Sequence, residues 1–347
     1  MSAAVPPIAV VGATGHTGRF VVAELVARGS APILIGRDAA KLAELAERHV
    51  GTATRVAAMD EPASLDAALV GAMAVVNCAG PFFDTALPVI DAAIRARIPY
   101  LDVTAEQATA RSVYAERDGV ARAAGVALVP AMAFYGGLGD LLATAAAGDW
   151  AAPEEVRLAV ALDSWHPTRG TRRTGERNTA PRLTWTDGRL APLPDPAPRR
   201  EWRFPDPFGT QPVVAMPFAE TITITRHIAA REVLAYMNLA PLADLHDPDT
   251  PEPRAVDGRG RSAQTFVMDA RVRNGDHERG ATASGRDIYA TTAPLIVEAA
   301  CRLLLGEGRG ASGACAPGEI FDTRGFLEAL APDRLTIGFR TREIREG

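Results

Sequence analysis

Three glycines, Gly12, Gly15 and Gly18, sit at a three-residue spacing in I-A-V-V-G-A-T-G-H-T-G, residues 8 to 18. The β-branched run Ile8, Val10 and Val11 stops at Gly12, and a helical pattern begins at Arg19, so the segment reads as a strand, a tight turn and a helix. Each glycine has a mechanical role in that reading. Gly12 lets the chain turn off the strand, Gly15 lets backbone approach a pyrophosphate, and Gly18 lets the helix pack closely on the sheet. The N–H groups at the helix start then face phosphates, the chemistry of dinucleotide binding.

The next strand, Ala31 to Ile35, runs into Gly36-Arg37-Asp38, where an NAD-preferring site would place an acid against the ribose 2′-OH. Arg37 offers a guanidinium fork to a 2′-phosphate instead, which favours NADP(H). Asp38 has two readings, a ribose contact or the N-cap of a helix over Ala39 to His49. Lys41, one turn on, adds charge to the phosphate or lies on a solvated helix face.

Lys41 is also the only lysine. That removes a Schiff-base lysine near substrate, and it removes the Tyr-x-x-x-Lys pair of short-chain dehydrogenases, because Arg37 occupies the tyrosine's place. Cys78, Cys301 and Cys315 form no C-x-x-C pair, and the six histidines have no ligand spacing, so no metal or disulfide framework is expected.

The elements that must carry these groups follow from periodicity. Apolar runs at Ile8–Val11, Ile33–Ile35, Thr54–Ala58, Ala74–Asn77, Tyr100–Val103 and Val126–Pro130 alternate with helical segments. This predicts an α/β, Rossmann-type doubly wound parallel sheet of about six strands, in an NADP-binding domain spanning 1–148. Beyond Trp150 the texture changes to period-two alternation at Val156–Leu162, Thr221–Arg226 and Gln264–Val272, broken by proline-rich loops at Pro192–Pro198 and Leu245–Pro253. A second α+β domain with a mostly antiparallel sheet is expected over 149–286. A helix over Ile288–Leu305, a short helix near Phe326-Leu327 and Leu330, and an edge strand at Leu335–Phe339 complete 287–347, a C-terminal helix and tail returning to the first domain.

Ligands of open α/β sheets collect beyond the carboxyl ends of the strands. There the fourth strand delivers Asn77 to Phe82, the fifth Asp102 to Glu106, and the sixth Ala131 to Gly137, loops expected to line a nicotinamide. Tyr135 and then His166 are the candidate proton donors. Tyr135 has a packing role as its alternative, as do the weaker candidates His227, Tyr236 and Tyr289, whereas Asp102 and Glu106 could equally order a loop or a helix start. Trp150, Trp165, Trp185 and Trp202 all fall in the second domain, as core or as an aromatic wall over substrate. Arg169, Arg172, Arg173 and Arg177 cluster in a Gly/Thr-rich loop beside His166, a patch suited to a carboxylate-bearing small-molecule substrate.

The strings G-A-T-G-H-T-G, G-R-D-A-A-K-L, V-V-N-C-A-G-P-F and P-Y-L-D-V-T-A-E resemble the NADP-binding half of the saccharopine dehydrogenase/reductase-like family, which includes trans-acting enoyl reductases. The likeness covers roughly the first 140 residues, with a weaker echo at Tyr289–Leu304 and Gly313–Phe326. It implies a nicotinamide-dependent reductase acting on a C=N, C=C or C=O group. Gly12, Thr14, Gly15, His16, Thr17, Gly18 and Arg37 would serve the cofactor, Asn77, Ala79, Gly80 and Pro81 its loop, and Asp60, read as ending the third strand, the adenine. Two departures stand out. Asp102-Val103-Thr104-Ala105-Glu106 replaces the D-L-T-G-E of many relatives, and Ala133 to Gly137 replaces a G-F-D-S-x-P-type loop. The alternative is a sensor or scaffold that binds NADP(H) without catalysis.

Bulk composition bounds the remaining classes. With 347 residues, 47% hydrophobic, 23% charged and a net charge of −5, the chain reads as an ordinary globular protein without a nucleic-acid or anionic-membrane surface. No uninterrupted apolar stretch is long enough to span a bilayer, and M-S-A-A-V-P-P lacks the basic segment and apolar core of a leader, so a cytoplasmic location is expected. An exposed sheet edge in the second domain makes a homodimer the expected assembly.

Overall fold

In the computed structural model, residues 6–308 and 310–343 are described, so the first five residues of the amino-terminal reading and the last four of the tail lie outside them. The chain forms two compact units, residues up to Ala133 with Thr292–Phe321, and Phe134–Thr291 with the residues from Asp322 onward. The helix Gly139–Ala147, assigned by sequence to 1–148, therefore belongs to the second unit, as does the tail from Asp322.

In the first unit, seven parallel strands run in the order Gly313–Ala314, Ala127–Val129, Tyr100–Asp102, Ala74–Asn77, Ile8–Val11, Ile33–Gly36, Ala53–Val56. This is the doubly wound order, with the first strand between the fourth and the second. Ile8, Ala9, Val10 and Val11 are all fully buried, as a strand covered on both faces must be, and each large side chain contributes roughly 1.5–3 kcal/mol of burial free energy. The seventh strand is a correction to the expected six. Two residues are too short to show periodicity, and Gly313–Ala314 joins only because it pairs in register with Ala127–Leu128. In the same unit, Glu298 of the long helix Ile288–Leu305 meets Arg28 at 2.5 Å.

Glu298 and Arg302 interrupt the apolar run of that helix, in keeping with the reading of apolar stretches. By length and composition it could cross a bilayer, but 67% of its apolar window is buried and Leu295, Ile296, Ala299 and Ala300 are fully enclosed. It is a core helix. Its first turn is capped by Asp287, whose carboxylate accepts from the N–H groups of Tyr289 and Ala290 at 3.0 Å each.

In the second unit, a mixed sheet runs 199–203, 210–215, 232–238, 155–162, 265–274, 277–286 and 336–343, and a hairpin of 183–186 with 189–192 pairs to its side. Only 232–238 and 155–162 are parallel; every other pair is antiparallel. The hairpin turns at Asp187-Gly188, both with positive φ (48° and 71°), the primed geometry that matches strand twist. One face carries Trp202, Phe204, Tyr236 and Val267 in a core cluster. The helices Gly139–Ala147 and Thr323–Leu330 pack together in this unit, the former also against 265–274 and 277–286.

Two expectations fail here. Thr221–Arg226 is not a strand, because Glu220–Ile224 forms a short helix with every residue buried. Two of its alternating threonines turn their hydroxyls back onto the chain, Thr225 Oγ1 reaching the Thr221 carbonyl at 2.9 Å and Thr223 Oγ1 that of Glu220 at 3.3 Å. Such back-bonding lets β-branched residues enter a helix. The arginine-rich segment is likewise not a loop. Arg169–Arg177 is helical, started by Thr168, whose hydroxyl accepts from the Thr171 N–H at 3.1 Å.

Candidate functional site

The glycine turn is built as its spacing requires, though two of the three glycines serve the protein's own packing. Gly12 has φ +76°, and a Cβ there would lie 2.8 Å from the Ala79 amide nitrogen. At Gly18 a Cβ would fall 2.3 Å from the Gly12 carbonyl oxygen. Gly15 differs, since it is exposed at the apex and a Cβ would meet only the Gly12 oxygen at 3.2 Å. The turn is pinned by Gly12 and Ala13, which donate to the Ile35 carbonyl, and by Gly15, which donates to Gly12. Helix His16–Ala27 then starts at Gly15 with no side-chain cap, so the first-turn amides of His16, Thr17 and Gly18 point out of the turn with no carbonyl of their own helix to bond. Thr14 is half-buried beside them.

At the end of the second strand, Arg37 is exposed and makes no hydrogen bond or ion pair among the described residues. Asp38 caps the next helix, accepting from the Lys41 N–H at 3.1 Å, and its other oxygen holds Lys41 Nζ at 3.4 Å. The Lys41 N–H bond foremost, and the Nζ contact after it, keep the Asp38 carboxyl below its usual range. Of the two readings of Asp38, the cap is the one its geometry carries, and Lys41 is spent on the same residue. Asp60 is placed otherwise than expected, because the third strand ends at Val56 and Asp60 lies exposed in the turn before helix Pro62–Leu69. The apolar alternation that extended the strand to Ala58 reflects Ala57 tucking into the core.

Asn77 faces inward rather than toward a ligand. It is fully buried, its Nδ2 donates to Thr85 Oγ1 and Tyr100 Oη at 3.3 Å, and its Oδ1 accepts from the Ala79 N–H at 3.0 Å. It therefore shapes the loop Ala79-Gly80-Pro81, in which Gly80 is exposed and Gly80-Pro81 is cis. Asp102 continues the network. Its Oδ2 accepts from Tyr100 Oη at 2.9 Å, and its Oδ1 from the N–H groups of Thr104 and Ala131 at 2.9 Å. One buried carboxyl thus ties the ends of the fifth and sixth strands and holds Ala131 at φ +60°. Burial raises the Asp102 carboxyl to about 6. The Cys78 thiol is raised by burial and by Asp102, so it stays a neutral thiol. Glu106, before helix Gln107–Glu116, accepts from the Thr104 hydroxyl, while its Oε1 is buried without a partner.

In the second unit, Tyr135 lies in a kinked turn, Phe134–Leu138, where Gly136 takes φ +110° and ψ −95°. The Tyr135 ring stacks on Phe218 with centroids 4.2 Å apart and lies 5.8 Å from Trp165. Its hydroxyl is buried with no hydrogen-bond partner, and burial lifts it well above the usual tyrosine range. His166 is half-buried between Trp165 and Pro167 and makes no contact with Tyr135's hydroxyl. Tyr289 is a junction, its hydroxyl meeting Trp165 Nε1 at 3.0 Å and Thr171 Oγ1 at 2.9 Å. His227 Nε2 is 2.7 Å from the fully buried Asp140. Tyr236 belongs to the sheet core. Of the arginines, Arg172 is spent on the carbonyls of Asp247 and Thr250.

Glu220 was not among the sequence candidates. It is 5% exposed, its Oε1 accepts from the Phe218 N–H at 2.9 Å, and its Oε2 is buried without a partner. Burial pushes the carboxyl up to about 7. A Cβ on Gly139 would come within 3.2 Å of the Glu220 Cβ, so that glycine makes the room. The alternating threonines hid Glu220, since a residue preceding an apparent strand gives no sign of lining a cavity. Among the described residues, no three His, Cys, Asp or Glu side chains are placed to hold a metal.

Comparison with known proteins places this geometry. Residues 8–127 match the family described as the saccharopine dehydrogenase NADP binding domain. Among solved structures, saccharopine dehydrogenase (L-Glu forming) from Saccharomyces cerevisiae is similar in fold over 96% of this chain and 100% of its own, with 13% identity and a TM-score of 0.69. A triphenylmethane reductase from Citrobacter sp. is similar over 36% of this chain and 47% of its own, with 24% identity and a TM-score of 0.29. No curated protein matches the sequence.

Proposed function

We propose that the chain is an NAD(P)-dependent oxidoreductase that takes NADP(H) as cofactor and reduces a C=N, C=C or C=O group of a small metabolite, a reading supported by the match of residues 8–127 to the saccharopine dehydrogenase NADP binding domain. The observation that carries the reading is the pairing of an open glycine turn with a free, exposed Arg37.

The residues fit the cofactor. Gly15 presents a side-chain-free apex, the first-turn amides of His16, Thr17 and Gly18 are directed at an anion, and Thr14 lies beside them. Arg37 has no partner of its own and suits a 2′-phosphate. Ala79, Gly80 and Pro81 form the neighbouring wall, held in shape by Asn77. NADPH, when bound, supplies a hydride from its nicotinamide C4. The chain's part is to orient it and to provide a proton. Tyr135, two residues along the chain from Ala133, keeps its proton at neutral pH because burial disfavours the phenolate. We assign it as proton donor, with His166 as the second candidate.

The test is calorimetric binding of NADPH and NADH to the purified protein, followed by a screen for NADPH oxidation with imines, enones and ketones. Tight NADPH binding with turnover is the expected result; failure to bind either nucleotide overturns the reading.

A further inference from the structure

We propose that the second unit holds a binding site for a small organic ammonium ion, formed by the carboxylate of Glu220, the hydroxyl of Tyr135 and the aromatic faces around them. The site goes beyond the proposed reductase but shares Tyr135 with it.

Four observations converge. Glu220 and Tyr135 line the same narrow cavity, and each has a buried oxygen with no hydrogen-bond partner. Such atoms cost about 1–3 kcal/mol each when left unmade, so two of them on residues that line one cavity point to something that completes them. The rest of the wall is apolar and aromatic. Phe218, stacked on Tyr135, and Tyr236 give π faces, and Met216, Met237 and Met268 give soft thioether surface. A carboxylate among π faces attracts a cation and repels an anion. Gly136, in the turn that positions Tyr135, takes the mirror-image β conformation open to glycine, which fixes where the Tyr135 ring lies.

Size narrows the ligand. The cavity admits about one water-sized group as it stands, which suits an ammonium head, and methionines are the side chains most able to move aside for a short apolar body. A carboxylate-bearing ligand, expected from the arginine-rich segment, does not suit this cavity. Of the other ionisable groups, Tyr135 and Tyr236 line the same cavity, the Arg182 guanidinium interacts electrostatically with both Glu220 and Tyr135, and His227 Nε2 lies 2.7 Å from Asp140. The Arg182 guanidinium sits 4.7 Å over the Phe218 ring and donates to the Pro217 carbonyl, and Glu232 is taken up by Thr186 and the Asp187 amide.

The test uses the full chain with saturating NADPH, titrated calorimetrically with methylammonium and 3-methylbutylammonium chloride, and with sodium isovalerate as the anion of matched shape. The wild type is expected to bind an ammonium at pH 8, about tenfold more tightly than at pH 6, because Glu220 must be ionised and its carboxyl titrates near 7. Glu220→Gln should weaken binding at least tenfold and flatten the pH profile, and Tyr135→Phe should weaken it less. Equal ammonium affinity in wild type and Glu220→Gln, a pH dependence that survives in Glu220→Gln through His227, isovalerate bound as tightly as the ammonium, or no heat from either amine overturns the site. NADPH binding measured in the same samples separates this result from the reductase reading and reports folding of the variants. Should Glu220→Gln fail to fold, the wild-type pH profile and the isovalerate comparison decide.

Discussion

The hydroxyl of Tyr100 donates to Oδ2 of Asp102 across 2.9 Å of fully buried interior, two residues apart on one strand. Side chains at that spacing share a face of the strand, so the pair arises from local geometry. What makes it matter is the other oxygen of Asp102, which is committed to the amides of Thr104 and Ala131.

Asp102 should therefore leave a signature in stability against pH. Its carboxyl is raised to about 6 from an ordinary 3.8, so the native state holds the proton more tightly than the unfolded chain. The stabilisation is complete below about pH 4 and is lost as pH rises through 6, a change of roughly 3 kcal/mol. Urea unfolding between pH 4 and 8 should show Asp102→Asn lacking that share of the slope while staying folded. Asp102→Ala, which strands three buried donors, should lose about 3–5 kcal/mol at pH 4 and less toward pH 8, where the wild type has itself lost the carboxyl's share. Parallel slopes in wild type and Asp102→Asn would remove the assignment.

The three glycines should separate by experiment. Gly18→Ala puts a Cβ 2.3 Å from the Gly12 oxygen, and Gly12→Ala places one 2.8 Å from the Ala79 nitrogen at φ +76°. Both should lower the melting temperature clearly, by about 2 kcal/mol or more in stability. Gly15→Ala should melt within a degree or two of wild type yet bind NADPH at least tenfold more weakly, because its effect is confined to the apex. Differential scanning fluorimetry with nucleotide titration distinguishes the cases.

Arg37 has no internal partner, so Arg37→Ser should leave the melting temperature unchanged. Loss of a charge-assisted contact to the 2′-phosphate should weaken NADPH by roughly 10- to 100-fold, about 1.5–3 kcal/mol, and NADH hardly at all. An equal loss for both nucleotides would contradict the phosphate role.

Asp38, by contrast, should behave as a cap. Asp38→Ala should lower the melting temperature, Asp38→Ser should restore most of the loss, and neither should alter the ratio of NADPH to NADH affinity. A shift of that ratio toward NADPH in both variants would return Asp38 to the ribose.

Local chemistry and short-period patterning carried the first unit. The run Ile8–Val11, the glycines after it, and Asp38 ahead of Ala39–Arg48 encode strand, turn and cap within a few residues, and each stands where the spacing put it. The same holds for Ile288–Leu305, whose apolar face spans five turns. What the sequence could not reveal are features assembled from distant residues. Gly313–Ala314 becomes a strand only by lying beside Ala127–Leu128. Thr221–Arg226 alternates like a strand, yet Glu220–Ile224 is a short helix with every residue buried, a choice made by its packing and not by its pattern. Glu220 is the clearest case. Nothing local marks it, and its buried, half-satisfied carboxyl facing Tyr135's cavity exists only because Gly139, Phe218 and the sheet enclose it. Periodicity reports which face of an element is buried. Only tertiary packing decides which polar atoms that burial leaves without a partner.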